Sequence, residues 1–308
     1  MADVSVIIAT HNRASLVGEA IDSVLSQSEP VRELIVVDDG SSDATREQLF
    51  RYGDRIRSFF CPQGGASAAR NFGIQAAQGR WIAFLDDDDV WLTTKIEEQM
   101  KVTANNPEVG LVYCSDYAVD ERLRVLYTRQ AAPDNRGDVF ERLLIKNFIY
   151  TSCVMARRDA VAKAGYMRLD LRFAQDWDLW LKIAAHAPVD FAPEPLVLYR
   201  QSASGCLTRD MKATEKLLEL ETILEAARSL RKVPDRAHSN ARHQLELQWA
   251  SSSLTEGNNG QAFSHSVRAV LSRPGSLGGY RLLAHSLVPK PARQWARRVI
   301  RRGGGNAG

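Results

Sequence analysis

Short apolar runs alternate with helix-period segments through the first part of the chain. Val4–Ala9 (VSVIIA), Leu34–Val37 (LIVV), Ile56–Cys61 and Trp81–Leu85 (WIAFL) read as strands. Between the first two, Leu16, Val17, Ala20, Ile21, Val24 and Leu25 recur at helical spacing. A Ser/Asp-rich helix start follows at Ser41–Asp43. Gly64–Gln78 reads as a loop feeding a helix, and Thr93–Ala104 as the next helix. This alternation predicts βαβ units and an α/β fold with a mostly parallel sheet covered on both faces. Gly110–Cys114, Glu121–Tyr127, Ser152–Ala156 and Leu196–Tyr199 are further strand candidates with less regular connections. After about residue 207 the pattern changes: Lys212–Arg231, Ala241–Ser253 and the stretch around Ala262–Leu271 are helical. The expected division is an α/β body over residues 1–205 and a helical C-terminal region over 206–308.

Composition changes this picture little. With 308 residues, 44% hydrophobic and 25% charged, the chain is ordinary for a globular protein. No apolar run approaches the roughly 18 residues of a membrane span, and no signal peptide is expected, because the first residues run straight into a strand-like segment. Cys61, Cys114, Cys153 and Cys206 form no CxxC pair, so reduced thiols and a cytoplasmic setting are expected.

Charge adds an asymmetry. No Asp or Glu follows Glu256, and nine cations do; removing them from the overall +3 leaves −6 for the first 256 residues. Within this basic end, Ala292, Trp295, Ala296 and Val299 recur at helical spacing among Arg293, Arg297, Arg298, Arg301 and Arg302. Such a segment, Arg293–Arg302, suits peripheral contact with an anionic membrane surface, or a solvated tail, or one docked on the acidic body. Nucleic acid is not an expected partner, because no aromatic-rich platform accompanies the cations.

The candidate chemistry lies at strand ends, where open parallel sheets bind ligands. Asp38-Asp39 follows LIVV, Asp86-Asp87-Asp88-Asp89 follows WIAFL, and Thr10-His11-Asn12 follows VSVIIA. Several carboxylates in one place need a compensating cation, and an all-oxygen set favours Mg²⁺ or Mn²⁺ bridging a diphosphate. The structural alternative is an acidic turn capping the helix from Thr93, with Asp38–Ser41 a turn and helix cap. A third acidic site is Gln175–Ile183 (QDWDLWLKI). On a helical wheel with Asp176 at zero, Trp180, Ile183 and Leu179 fall at roughly +40°, −20° and −60°, and Asp178 at roughly 200°. Asp176 is then inward and Asp178 outward, so Asp176 is either a buried helix cap or a base for proton transfer. The six histidines form no recognised ligand set.

The chain resembles the family 2 glycosyltransferases of the GT-A fold, a Rossmann-like architecture for nucleotide-diphospho-sugar transferases. The likeness covers residues 3–200 and rests on VSVIIATHNRASLVGEAIDSVLSQ, ELIVVDDGSSDAT, GGASAARNFGI, RWIAFLDDDDVW and AQDWDLWLKIA followed by LVLYRQ. It implies that Thr10, Asn12, Asp39, Arg70 and Asp87 serve the nucleotide, with Asp39 on the base edge. Asp86–Asp88 would be the DXD motif, with Asp88 the direct ligand of Mn²⁺ or Mg²⁺ and Asp86 supporting it. Asp176 would be the catalytic base of an inverting displacement. Gln175 departs from the family's usual glutamate. Tyr199 and Arg200 are expected near the diphosphate or acceptor, or in a strand-end structural role. The resemblance further implies a nucleotide-sugar donor, UDP-sugar favoured, and a glycan or lipid-linked acceptor in cell-surface polysaccharide or glycolipid assembly. A sugar-phosphate nucleotidyltransferase and a non-catalytic nucleotide-sugar or glycan-binding module are the alternatives; neither uses Asp176 as a base.

Overall fold

The computed structural model describes residues 1–201 and 211–288. These separate into two compact units, one of residues 1–143 and 147–201, the other of 144–146 and 211–288.

The alternation of strand and helix is realised in the first unit. It runs β1 (Ala2–Thr10), α1 (Val17–Leu25), β2 (Val31–Asp39), α2 (Thr45–Phe50), β3 (Arg57–Cys61), α3 (Ala66–Ala76) and β4 (Trp81–Asp86). A two-residue β5 (Val90–Trp91) and α4 (Lys95–Asn105) follow. Then come β6 (Leu111–Val119), β7 (Val125–Arg129), α5 (Phe140–Ile145), β8 (Met155–Arg157), α6 (Arg158–Ala164), α7 (Gln175–Ala184) and β9 (Val189–Arg200). One sheet holds the strands in the order β3-β2-β1-β4-β8-β6-β9-β5, with β7 on β6. The pairs of β1 with β2 and β4, of β2 with β3 and of β6 with β9 are parallel. β5, β7 and β8 run the other way. For β7 the cause is local: the link from β6 is too short for a crossover, and Asp120 closes it by accepting the N–H groups of Arg122 and Arg124. The segment read as a strand from Ser152 begins instead as a 3-10 turn, Thr151–Cys153, before β8.

The central strands are apolar throughout, as burial on two faces demands: Val6, Ile8, Val36, Ile82 and Phe84 are all fully buried. Two contacts set the site's dimensions. At Gly73 of α3 a Cβ would come within 2.6 Å of Ile7 Cγ2, so glycine alone lets α3, which carries Arg70, lie this close to β1. On the neighbouring strand, fully buried Trp180 of α7 meets Phe84 of β4 with ring centroids 5.7 Å apart. That contact ties the helix bearing Asp176 to the strand that ends in the acidic run.

The second unit contains α8 (Ala213–Leu230), α9 (Asp235–Glu256), α10 (Asn259–Ser272) and α11 (Leu277–Ser286). Its core mixes Ile223, Leu224, Ala250 and Ala262 with buried polar groups. His265 stacks on Trp249 at 5.1 Å and pairs with Glu246 at 2.7 Å; His243 bridges the Ala269 carbonyl and Ser276 Oγ, each at 2.8 Å. No described helix is long and apolar enough to cross a membrane. The basic segment Arg293–Arg302 and Cys206 lie outside the described residues.

Candidate active site

Strand register brings the expected edge residues together. Thr10 pairs with Asp38, Ala9 with Asp86, and Asp39 with Cys61, so β3, β2, β1 and β4 end side by side. A hollow of about 280 Å³ lined by Asp3, Arg80 and Arg157 lies at the opposite ends of the strands and holds none of these groups.

The β1–β2 half of the edge is stitched by hydrogen bonds between its loops. Buried Asp39 accepts the Gly64 N–H on one carboxylate oxygen at 2.7 Å and the Gly65 N–H on the other at 2.8 Å. Gly65, at φ +89°, is the N-cap of α3. The Asp39 carbonyl accepts from His11 Nδ1 at 2.8 Å; His11 Nε2 then accepts from the amides of Asn12 and Gln63, which fixes the tautomer. Asn12 adopts φ +53° and its Oδ1 accepts the N–H groups of Ser42 and Asp43, while its own N–H donates to Ser41 Oγ. Asp38 Oδ1 accepts from Ser41 N–H; its Oδ2 is buried without a partner among the described residues. The turn expected at Asp38–Ser41 is therefore present, and Asp39 grips the next loop.

The acidic run behaves differently. Asp86 pairs with Arg70 at 2.5 Å, and Arg13 stands 3.7 Å from both Asp87 and Asp88. Asp89 is buried, accepting from Ser152 Oγ at 2.5 Å and from the Arg200 N–H at 2.7 Å. Arg200 also donates to the Asp88 carbonyl and to Glu19, locking the turn to the end of β9. Burial and Asp88 push the Asp87 carboxyl up to about 7, against Thr10 and Arg13. Burial and Asp86 raise Asp88; burial, Asp88 and Asp86 hold Asp89 well above the usual range. The turn does not cap α4, whose Ile96 N–H is taken by Gln27 Oε1.

These residues fit a hard divalent cation in part. The donors are all carboxylate oxygens, and their mutual repulsion is what an added cation would relieve. No cluster of three protein ligands is preassembled among the described residues, so substrate phosphates would complete the shell.

Asp176 is the second residue of α7, and its carboxylate accepts from Thr151 Oγ1 at 3.1 Å and from the Trp177 N–H at 2.6 Å. Burial lifts it to about 6, opposed by Trp177 N–H, Arg70 and Thr151. It is not the helix cap, a position held by Ala174. Asp178 does not point outward: it is 2% exposed and paired with Lys182 at 2.5 Å. The wheel assumed one solvent face, but Leu179, Trp180, Leu181 and Ile183 are also buried, so α7 is enclosed nearly all round.

Two links join Asp176 to the acidic turn. Thr151 binds Asp176, and the next residue, Ser152, donates to Asp89 and accepts the Asp86 N–H. Arg70, paired with Asp86, is buried and held more firmly charged than usual: burial opposes it, but Asp86, Asp176 and Asp87 prevail. Its Nη1 has no partner among the described residues. Arg13, Thr151 and Ser152 were not singled out from sequence. Arg13 directly follows Thr10-His11-Asn12 and could have been; Thr151 and Ser152 carry no pattern at all.

Known proteins converge on one family. The profile described as "Glycosyl transferase family 2" matches residues 5–165. An uncharacterized glycosyltransferase of Rickettsia prowazekii (strain Madrid E) is 31% identical over 224 residues, 70% of each chain. The chain spans 63% of a Rickettsia typhi relative and about a third of longer ones from Rickettsia conorii and Rickettsia felis. The Escherichia coli UDP-Glc:alpha-D-GlcNAc-diphosphoundecaprenol beta-1,3-glucosyltransferase WfaP is 32% identical over 58% of this chain and 69% of its own. In fold, S. aureus TarS 1-349 in complex with UDP-GlcNAc superposes with TM-score 0.67 at 14% identity, covering 92% and 91% of the two chains. The Pyrobaculum calidifontis mannosyltransferase PcManGT, in complex with GDP-Man and Mn²⁺, gives 0.59 at 21% identity over 95% and 82%. A β1–β4 edge of this geometry, a family match across half the chain and GT-A neighbours lead to one conclusion: this chain belongs to glycosyl transferase family 2 and has the GT-A fold.

Proposed function

We propose that this enzyme moves a sugar from a nucleoside diphosphate sugar, UDP-sugar favoured, to an acceptor hydroxyl with inversion, in cell-surface polysaccharide or glycolipid assembly. The observation that carries the reading is the Thr151–Ser152 bridge, which sets Asp176 beside the turn Asp86–Asp89. Asp176 takes the proton from the acceptor hydroxyl; the hydroxyl oxygen bonds to the anomeric carbon as the bond to the diphosphate oxygen breaks on the opposite face. A carboxylate lifted to about 6 is a stronger base than an ordinary aspartate and is still ionised at neutral pH.

Asp88, with Asp86 in support, would hold Mn²⁺ or Mg²⁺, which when bound would supply Lewis-acid stabilisation of the departing diphosphate. Arg13 steadies Asp87 and Asp88, and Arg70 holds Asp86 while leaving Nη1 free for the donor. Thr10, Asn12, Asp39 and Asp87 line the nucleoside side, where His11 and the loop at Gly64-Gly65 are already fixed. The neighbours with bound UDP-GlcNAc and GDP-Man support a nucleotide-sugar donor. Residues 1–205 are the catalytic domain in this reading and 206–308 a helical region with a basic end.

The test is nucleoside diphosphate release from a panel of nucleotide sugars with Mn²⁺ or Mg²⁺, using wild type and Asp176→Asn. Release that depends on acceptor, metal and Asp176 is expected. Transfer at the wild-type rate by Asp176→Asn would remove the base assignment.

A further inference from the structure

Beside the catalytic turn stands an arrangement that the steps above do not use. Arg129, the last residue of β7, places its guanidinium carbon 3.8 Å from the Tyr150 ring centroid and 4.3 Å from that of Tyr199. The two rings lie 5.4 Å apart at 56°. Arg129 is fixed from behind by buried Asp116 of β6, with Nε and Nη2 donating to its carboxylate. A planar guanidinium in a two-point ion pair is a rigid spacer, and two aromatic faces on it are held at one separation.

Chain connectivity fixes where this clamp sits. Tyr150 immediately precedes Thr151, whose hydroxyl donates to Asp176. Tyr199 immediately precedes Arg200, which donates to Asp89 and to the Asp88 carbonyl. Each ring is one residue from a group that holds the base or the diphosphate turn. Both rings are partly exposed, and neither hydroxyl makes a hydrogen bond to protein among the described residues.

We propose that Tyr150 and Tyr199, spaced by Arg129, form the subsite for an uncharged pyranose ring of the acceptor. The assignment deepens the transferase reading and rests on it. Two amphipathic rings with free hydroxyls suit the apolar face and the hydroxyls of a sugar. The clamp offers no net charge, because Asp116 balances Arg129, and the carboxylates of Asp89, Asp86 and Asp88 near Tyr199 disfavour an anionic acceptor group. Tyr150 and Tyr199 contact the acceptor; Arg129 is a positioning residue acting through them.

The probes are methyl glucoside, methyl galactoside, methyl N-acetylglucosaminide and methyl rhamnoside, with glycerol 3-phosphate as the anionic control. Binding is followed by saturation-transfer NMR on the full chain, with UDP plus Mn²⁺ titrated separately. At least one pyranoside is expected to bind, and Tyr150→Ala or Tyr199→Ala to weaken it roughly five- to tenfold while UDP affinity is unchanged. Tyr150→Phe, which keeps the ring, retains most of the binding. Arg129→Lys keeps the ion pair but loses the planar spacer; it weakens the pyranoside and raises acceptor KM without lowering kcat. The proposal is overturned if no pyranoside binds, if Tyr150→Ala binds as wild type does, or if glycerol 3-phosphate alone binds. Failure of UDP to bind would count against the transferase reading instead, so the two can be told apart.

Discussion

Two halves of one sheet edge are built from the same side chain and reach opposite electrostatic states. At the end of β2, both oxygens of Asp39 are taken by backbone N–H groups and the surrounding loops are closed by Asn12 and His11. At the end of β4, four successive carboxylates share three arginines, Arg13, Arg70 and Arg200, and burial with mutual repulsion lifts three of them. In the first half Asp39 is satisfied by the protein alone, and only Asp38 Oδ2 and Thr10 Oγ1 are left buried without a partner among the described residues. In the second, carboxylates outnumber the arginines that meet them, which is the condition under which the proposed cation and diphosphate would be taken up. A carboxylate's role here is set by how many donors meet it, and not by its being acidic.

The sharpest way to break this comparison is Asp176→Asn. Loss of the base should reduce kcat roughly 10³-fold with donor affinity unchanged. The wild-type kcat should rise about tenfold per pH unit up to about pH 6, where Asp176 becomes ionised, and this limb should vanish in the variant. Steady-state nucleoside diphosphate release across pH 4.5–8 measures both.

Asp88→Asn should lower transfer by about 10²-fold and weaken its dependence on Mn²⁺. The same change removes a repelled charge, so the metal-free protein should melt higher than wild type, by calorimetry without and with Mn²⁺. A variant that melts lower would show that the acidic turn is compensated after all.

Asp39→Asn should do the reverse. An amide accepts with one oxygen and turns an NH₂ against a backbone N–H, so stability should fall by about 1–3 kcal/mol in denaturant melts. Donor KM should rise as the Gly64-Gly65 loop loosens.

Asn12→Ala is the mildest case: about 1 kcal/mol is lost with the bonds to Ser42 and Asp43 and the left-handed φ. Asn12→Gly should recover the part that belongs to backbone conformation.

The sequence made the framework of the first unit legible, and the errors fall where several elements meet. VSVIIA, LIVV and WIAFL are strands because runs apolar on both faces suit only a covered sheet, and their polar ends mark its edge. Asp176 was identified because its neighbours repeat at helical period, yet the same wheel misplaced Asp178, since it cannot count the layers packed around a helix. β5 and the 3-10 turn at Thr151 have no periodic signal and were missed.

What the chain determines by itself is local: periodicity, strand ends, and which carboxylates lie at an edge. Only the tertiary structure decided that Gly64 and Gly65 satisfy Asp39, that Arg70 meets Asp86, and that Thr151 and Ser152 couple Asp176 to the acidic turn. Those pairings join residues 16 to 63 positions apart. No repeat along the sequence encodes such a contact; it exists because packing such as Gly73 on Ile7 and Trp180 on Phe84 brings the surfaces to one place.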